Sequence, residues 1–363
     1  MTPEEKHAHL EALRALTAPG GPIDTEAPTA THRQPQNVTV GAKTGRLVLT
    51  RARLRLHGEI LTEYFDEKPD VLRDHKAVIT SGPPGAGKSS ARQERIPKSE
   101  EHLWRFIDAD EFKKRLVTRM QQTGEYAAMI PAEVRERIAA GEQFAPGEFA
   151  SLVHEESSML AARARRQALD RGERVVFDGV NGSADKLRAQ IEQLAGSGYS
   201  SVEIITVDGP KTVSRARVEY RWNEAFERHL AGDPEAGHDA RYVPEHITDA
   251  LYGDDEGYSS CARAVAKITR KDTIPGMTVS ATLHYVDRAD GAPEIWRRYE
   301  QQEDGRFTVT RYRQIDDERP NRHAPSAAGG GDDGGGAGDV IVPGYTKSDG
   351  TEVGPHTRRR PSR

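Results

Sequence analysis

The residues best suited to chemistry form the run Gly82-Pro83-Pro84-Gly85-Ala86-Gly87-Lys88-Ser89, which fits G-x-x-x-x-G-K-[ST] at every fixed position. Glycines let such a loop bend until successive N–H groups face phosphate oxygens, and the dipole of the helix that follows adds partial positive charge. In that arrangement Lys88 reaches the β- and γ-phosphates of a nucleoside triphosphate and the Ser89 hydroxyl serves Mg²⁺. ATP and Mg²⁺ are therefore the expected cofactors, with Gly82, Pro83, Pro84, Gly85, Ala86, Gly87, Lys88, Ser89 and Ser90 as the nucleotide-binding set and Ser89 at the metal. A second chemical signal is Phe106-Ile107-Asp108-Ala109-Asp110-Glu111-Phe112, with Asp108 20 residues after Lys88. If this segment stays extended, alternation puts Asp108 and Asp110 on one face. One carboxylate can then take a proton from an acceptor hydroxyl while the other orients Mg²⁺ or a water. The same residues also read as a helix start, since Asp is a good N-cap.

The elements that must position these groups are legible as alternation of strand and helix. Ala77 to Thr80, Arg174 to Phe177 and Val202 to Val207 are short β-rich runs separated by helical patterns, and the helix from about His154 to Asp170 should stop at Gly172. This order predicts a parallel sheet covered on both faces, with ligands at the carboxyl ends of its strands. Upstream, Leu10, Leu13 and Leu16 mark a docked or frayed helix, followed by a Pro/Gly/Thr-rich linker from Thr17 to Gln36. The seven-residue spacing of Leu47, Leu54 and Leu61 predicts a helix within 46–72. Downstream, Val279 to Val286 and Arg306 to Arg313 read as strands of hairpins, with Asp290-Gly291 and Asp304-Gly305 as turns. Residues 319–363 hold 10 of the 34 glycines and are expected to be disordered.

Composition narrows the function further. With 52 basic and 57 acidic side chains the net charge is −5, which disfavours a general nucleic-acid or anionic-membrane binder. The single cysteine, Cys261, excludes an intramolecular disulfide framework and fits a reducing, cytoplasmic setting. Met1 to Leu16 lacks a signal-peptide core, and no apolar run nears the roughly 20 residues of a membrane span. None of the 13 histidines forms an H-E-x-x-H pair or has a cysteine partner, so no transition-metal site is expected.

Taken in order, Gly82 to Ser90, Asp108-Ala109-Asp110-Glu111-Phe112, His154-Glu155, Val175 to Gly179, Gly198-Tyr199, Ser214 to Arg221 and Arg241-Tyr242-Val243-Pro244 with His246 resemble the zeta toxins. These are P-loop kinases that phosphorylate UDP-N-acetylglucosamine and related sugar nucleotides. The resemblance runs from about Ala77 to Tyr252. It implies an α/β, P-loop kinase-like fold, a parallel sheet flanked by helices, over 71–317; apolar spacing and composition place a helical extension and linker at 1–70 before it and a disordered tail at 318–363 after it. It makes Asp110 the base on the sugar hydroxyl, gives Asp108 and Asp178 to substrate binding, and sets Lys88, Arg221 and Arg241 on the phosphates as catalytic residues. It further implies a nucleotide-sugar substrate and a possible antitoxin partner.

The chain departs from the family at Asp178-Gly179-Val180, where a longer acid and a Gly-Thr pair are usual, so a hydroxyl contact to substrate is missing. That departure keeps open another acceptor, such as an NAD-like dinucleotide or a nucleic-acid end, besides a non-catalytic NTP-binding interaction protein. His154 and Glu155 read as helix-flanking residues, and Trp222 as a buried aromatic.

Overall fold

The computed structural model describes residues 1–40, 47–271 and 274–311 and four short strands between 340 and 358. It divides into two units, Met1–Gln314 and Ile315–Arg363. The first unit opens with α1 (Pro3–Leu16), the hairpin β1 (Val38–Val40) and β2 (Leu47–Leu49), and α2 (Arg51–Asp66). Next come β3 (Ala77–Ser81), α3 (Lys88–Arg95), β4 (Arg105–Ile107), α4 (Ala109–Thr123), α5 (Tyr126–Met129), α6 (Ala132–Ala139) and α7 (His154–Asp170). The chain continues through β5 (Val175–Phe177), α8 (Ala184–Gly196), β6 (Ser201–Asp208), α9 (Lys211–Leu230), α10 (Pro234–Asp239), α11 (Glu245–Tyr252) and α12 (Ser260–Lys271). It closes with β7 (Thr278–Tyr285), β8 (Glu294–Gln301) and β9 (Phe307–Arg311).

Seven strands form one sheet in the order β4-β5-β3-β6-β7-β8-β9. The pairs from β4 to β7 are parallel, and β8 and β9 continue the sheet antiparallel. The three β-rich runs read from the sequence are its centre, as expected for strands covered on both faces. Side chains alternate across it. Ala77, Ile79, Val175, Phe177, Val202 and Ile204 join the larger core with α2, α4, α7, α8 and α12, whereas Val78, Val176, Ile205 and Val207 meet Ala91, Ile96 and Trp104 on the other face. β3 has β5 on one side and β6 on the other, so the chain reverses its direction of winding there, and the carboxyl end of β3 is the place where a doubly wound sheet opens a crevice. The expected hairpins after Cys261 prove to be the edge of this same sheet.

The stretch from Thr17 to Gln36, expected as a linker, is packed. Ile23, Ala27 and Ala30 bury in the main core, and each turn is closed by a backbone bond: Ile23 N to Leu16 O, Ala27 N to Asp24 O, Ala30 N to Ala27 O. Residues 1–70 thus belong to the same compact unit as the sheet, because their apolar residues have nowhere else to leave water. α1 itself starts from a capping box of Thr2 and Glu5 and buries Leu10 and Leu13 against Trp222, Phe226 and Tyr242. The helix expected from residue 46 begins at Arg51, where the Thr50 hydroxyl caps Arg53 N; Leu47–Leu49 pairs with Val38–Val40 instead. Most of the tail expected to be disordered lies outside the described residues. Within it Val340–Val342 pairs with His356–Arg358 and Tyr345–Thr346 with Glu352–Val353, both antiparallel. Among the described residues no helix is long and apolar enough to cross a membrane.

Candidate active site

The buried strand β3 delivers its chain directly into the glycine-rich loop, and α3 begins at Lys88 with Gly87 as its N-cap. Gly85 and Gly87 have φ of 74° and 95°, a region open to glycine at little cost. Gly85 is fixed by space as well, since a Cβ there would lie 2.7 Å from Ser214 O of α9. The Lys88 ammonium folds back over the loop, donating to Gly82 O at 3.0 Å and Pro83 O at 3.3 Å. A loop of this shape, with a free helix start beneath it and an ammonium held above it by neutral carbonyls, fits a phosphate chain. Ser89 and Ser90 are exposed at the same helix start, where a metal-bound triphosphate would meet the Ser89 hydroxyl.

Asp108 ends the extended segment after β4 and caps α4, accepting from Asp110 N at 2.9 Å. Because the helix starts at Ala109, the segment does not stay extended, and the two carboxylates do not share one face as strand alternation suggested. Their environments push them apart. Burial raises Asp108 to about 7, with the Asp110 and Asp178 carboxylates adding to the effect. Burial also works to raise Asp110, but Lys113 at 3.0 Å and Arg241 at 2.7 Å outweigh it and hold Asp110 well below the usual carboxylate range. Asp178, at the end of β5, accepts from Thr80 Oγ1 at 2.7 Å, which ties it to the strand that feeds the loop. Val180 takes part through its backbone: its carbonyl accepts from Gly82 N at 3.1 Å and Ser81 Oγ at 3.2 Å.

Two cavities flank the Asp pair. Asp110, Lys113, His154, Arg221 and Arg241 line one of about 180 Å³, together with Tyr242, His246 and a wall from the N-terminal segment. Asp108 and Asp178 line another of about 330 Å³, with Lys68, Arg92 and Arg115. The structure therefore brings Asp110, Arg221 and Arg241 together and separates the pocket they line from that of Asp108 and Asp178. Burial first, and the neighbouring Arg241 next, lower the Arg221 pKa against the pull of the Asp110 and Asp108 carboxylates. His154, read as a helix-flanking residue, opens α7 and faces this cavity, its pKa lowered by burial first and by Lys113 next.

Three contributors were given no role from the sequence. Ser214 Oγ donates to Pro84 O at 2.6 Å, and Arg217 donates to Ala86 O at 3.3 Å and Ala289 O at 2.9 Å, so α9 braces the loop from above. Lys113 is the third. The signal was spacing: 214, 217 and 221 recur at three and four on one helix face, and Lys113 lies three after Asp110. Trp222 is buried as expected and donates its Nε1–H to Glu148 at 2.9 Å.

A parallel sheet, a phosphate loop at its switch point, and a carboxylate and arginines in one cleft define a P-loop kinase-like α/β domain. Residues 114–279 match the model of the zeta toxin family, so the resemblance seen in the motifs stands on a segment that includes Asp178, Arg221 and Arg241. No curated protein matches the chain. Among solved structures it is similar to a chain of the AvrRxo1-ORF1:AvrRxo1-ORF2 crystal structures, one of them with sulphate ions and one with ATP. The identity is 19% and the TM-score 0.49, covering 72% of this chain and 70% of that one. A structure from the PezAT chromosomal toxin–antitoxin system of Streptococcus pneumoniae is 13% identical with a TM-score of 0.38, covering 68% of this chain and 81% of that one.

Proposed function

We propose that this chain is a cytoplasmic phosphotransferase that uses ATP and Mg²⁺ to phosphorylate a hydroxyl of a UDP-sugar such as UDP-N-acetylglucosamine, as a toxin of the zeta type. The observation that supports this reading most is the ionised Asp110, held by Lys113 and Arg241 in the cavity that Arg221 also lines. An NTP-binding switch without an acceptor has no use for a carboxylate in that place. The loop from Gly82 to Ser90 would hold the triphosphate and Ser89 its Mg²⁺; when bound, the metal draws charge from the phosphate oxygens. Lys88 neutralises the phosphates being parted, and Arg221 and Arg241 stabilise charge on the moving group through planar forks of donors. Asp110 orients the acceptor hydroxyl and takes its proton as that oxygen bonds to the γ-phosphorus and the bridging P–O bond breaks. Asp108 and Asp178, in the neighbouring cavity, hold another part of the acceptor. An antitoxin protein that occupies the nucleotide cleft is the partner this function requires.

The test is incubation with ATP, Mg²⁺ and a panel of UDP-sugars and dinucleotides, read by mass. A UDP-sugar carrying one added phosphoryl group is expected. Product on a dinucleotide alone would overturn the acceptor and keep the kinase; no product on any acceptor would overturn both.

A further inference from the structure

The cavity that holds Asp110, Arg221 and Arg241 has a wall from a part of the chain outside the family match. Thr17, Asp24 and Thr25 line it. These residues are fixed before any ligand arrives. Thr17 is buried and donates its hydroxyl to Leu13 O at 2.7 Å. Asp24 accepts from Gly20 N at 2.9 Å and from the Thr25 hydroxyl at 3.2 Å. Between them Ile23 is fully buried in the main core. The segment is also locked to the helix that carries Arg221. α1 pairs Lys6 with Glu227 and Arg14 with Glu219 of α9, and buried Glu148 bonds both His9, at 3.0 Å, and Trp222, at 2.9 Å. The wall and the arginine are thus parts of one rigid assembly.

The charge pattern says what this wall is for. The catalytic side of the cavity carries Lys113, Arg221 and Arg241, which suit phosphate oxygens. The N-terminal wall adds a carboxylate and a hydroxyl, which suit the O–H and N–H donors of a sugar or an amide. Resting on the kinase reading above, we infer that Asp24 and Thr25 are specificity-determining residues. They receive hydrogen bonds from the hydroxyl or amide groups of a phosphate-bearing acceptor, and residues 17–25 form a preorganised wall that selects it. Preorganisation matters because a segment already ordered by its own turns loses little entropy when the acceptor binds.

Cys261 is fully buried, so Thr25→Cys places a single accessible thiol at the wall among the described residues. After labelling with a bulky maleimide this variant should lose phosphoryl transfer to the acceptor that wild-type protein uses, and acceptor should protect the thiol from labelling. Nucleotide affinity, read with fluorescent ADP, should stay within about twofold. Asp24→Asn keeps an oxygen for Gly20 N but loses the charge; it should raise the acceptor KM about ten- to a hundredfold, the range for a hydrogen bond to a charged group, with kcat and the ATP KM little changed. Melting curves check that both variants fold. Labelled Thr25→Cys with a wild-type acceptor KM would overturn the wall alone. A wild-type protein that transfers to no acceptor would overturn the kinase reading and, with it, this inference.

Discussion

Asp108→Asn should make the protein more stable, and by an amount that depends on pH. The Asp108 carboxyl has an ordinary value of 3.8 and is pushed to about 7 in the folded chain by burial beside Asp110 and Asp178. A raised carboxyl means that the native state binds a proton more tightly than the unfolded chain. The protein therefore pays no penalty at this site below the unfolded value near pH 4. It loses stability progressively as pH rises through that window, and the loss is complete above about 7. A difference of about three units corresponds to roughly 4 kcal/mol as an upper bound, so a gain of about 2–4 kcal/mol is expected for the variant at pH 8. Asn keeps a side-chain oxygen for Asp110 N, so the cap on α4 survives. At the usual conversion for a domain of this size, melting should rise by about 4–10 °C at pH 8, and the gap should close toward pH 4. Scanning calorimetry of both proteins from pH 4 to 8 measures it. Equal melting at every pH, or a less stable variant at pH 8, would refute the reasoning that this carboxylate is held at an electrostatic cost.

Lys88→Ala should abolish transfer while leaving the melting temperature within about 2 °C, because Lys88 is only half-buried and its bonds go to two carbonyls of its own loop rather than into the core; a large drop in melting temperature would contradict this. Arg241→Ala should lower kcat by about a hundredfold or more and shift the acidic limb of the pH–rate profile upward, since Asp110 loses one of the two cations that keep it ionised. Ser214→Ala should raise the ATP KM about fivefold with little change in the acceptor KM, because it removes a bond that braces the loop at Pro84. A chain cut to begin at Asp70 should not fold, since Ile60, Leu61, Tyr64 and Phe65 would be stripped from the core; cooperative melting of that fragment would contradict it.

The glycine-rich loop and the strands around it were legible because their signals are local. A fixed glycine pattern and continuous apolar runs need no knowledge of what lies far away in the chain. Residues 17–36 were not, since Ile23, Ala27 and Ala30 sit in turns rather than in a regular helix or strand, and a Pro/Gly-rich composition looks the same whether or not it is packed. Buried charge was also hidden. Arg53 lies with Glu156 and His57, and Arg105 with Glu173 and the carbonyls of Tyr64 and Lys68, whereas in sequence each reads as a surface residue. The partition of Asp108 and Asp110 between two cavities depends on the helix starting at Ala109, before the extended segment can reach Asp110. Boundaries of that precision are set by tertiary packing as much as by caps.

The claim that this is a kinase meets its most direct test in the fate of the γ-phosphoryl group. Wild-type protein, Lys88→Ala and Asp110→Asn are each incubated with Mg²⁺, γ-labelled ATP and a bacterial small-molecule extract, and the label is followed by chromatography and mass. The wild type should move label into one phosphorylated small molecule, Lys88→Ala should move none, and Asp110→Asn should bind ATP normally yet transfer far more slowly. Label released only as inorganic phosphate, or transferred equally by all three proteins, would contradict the account.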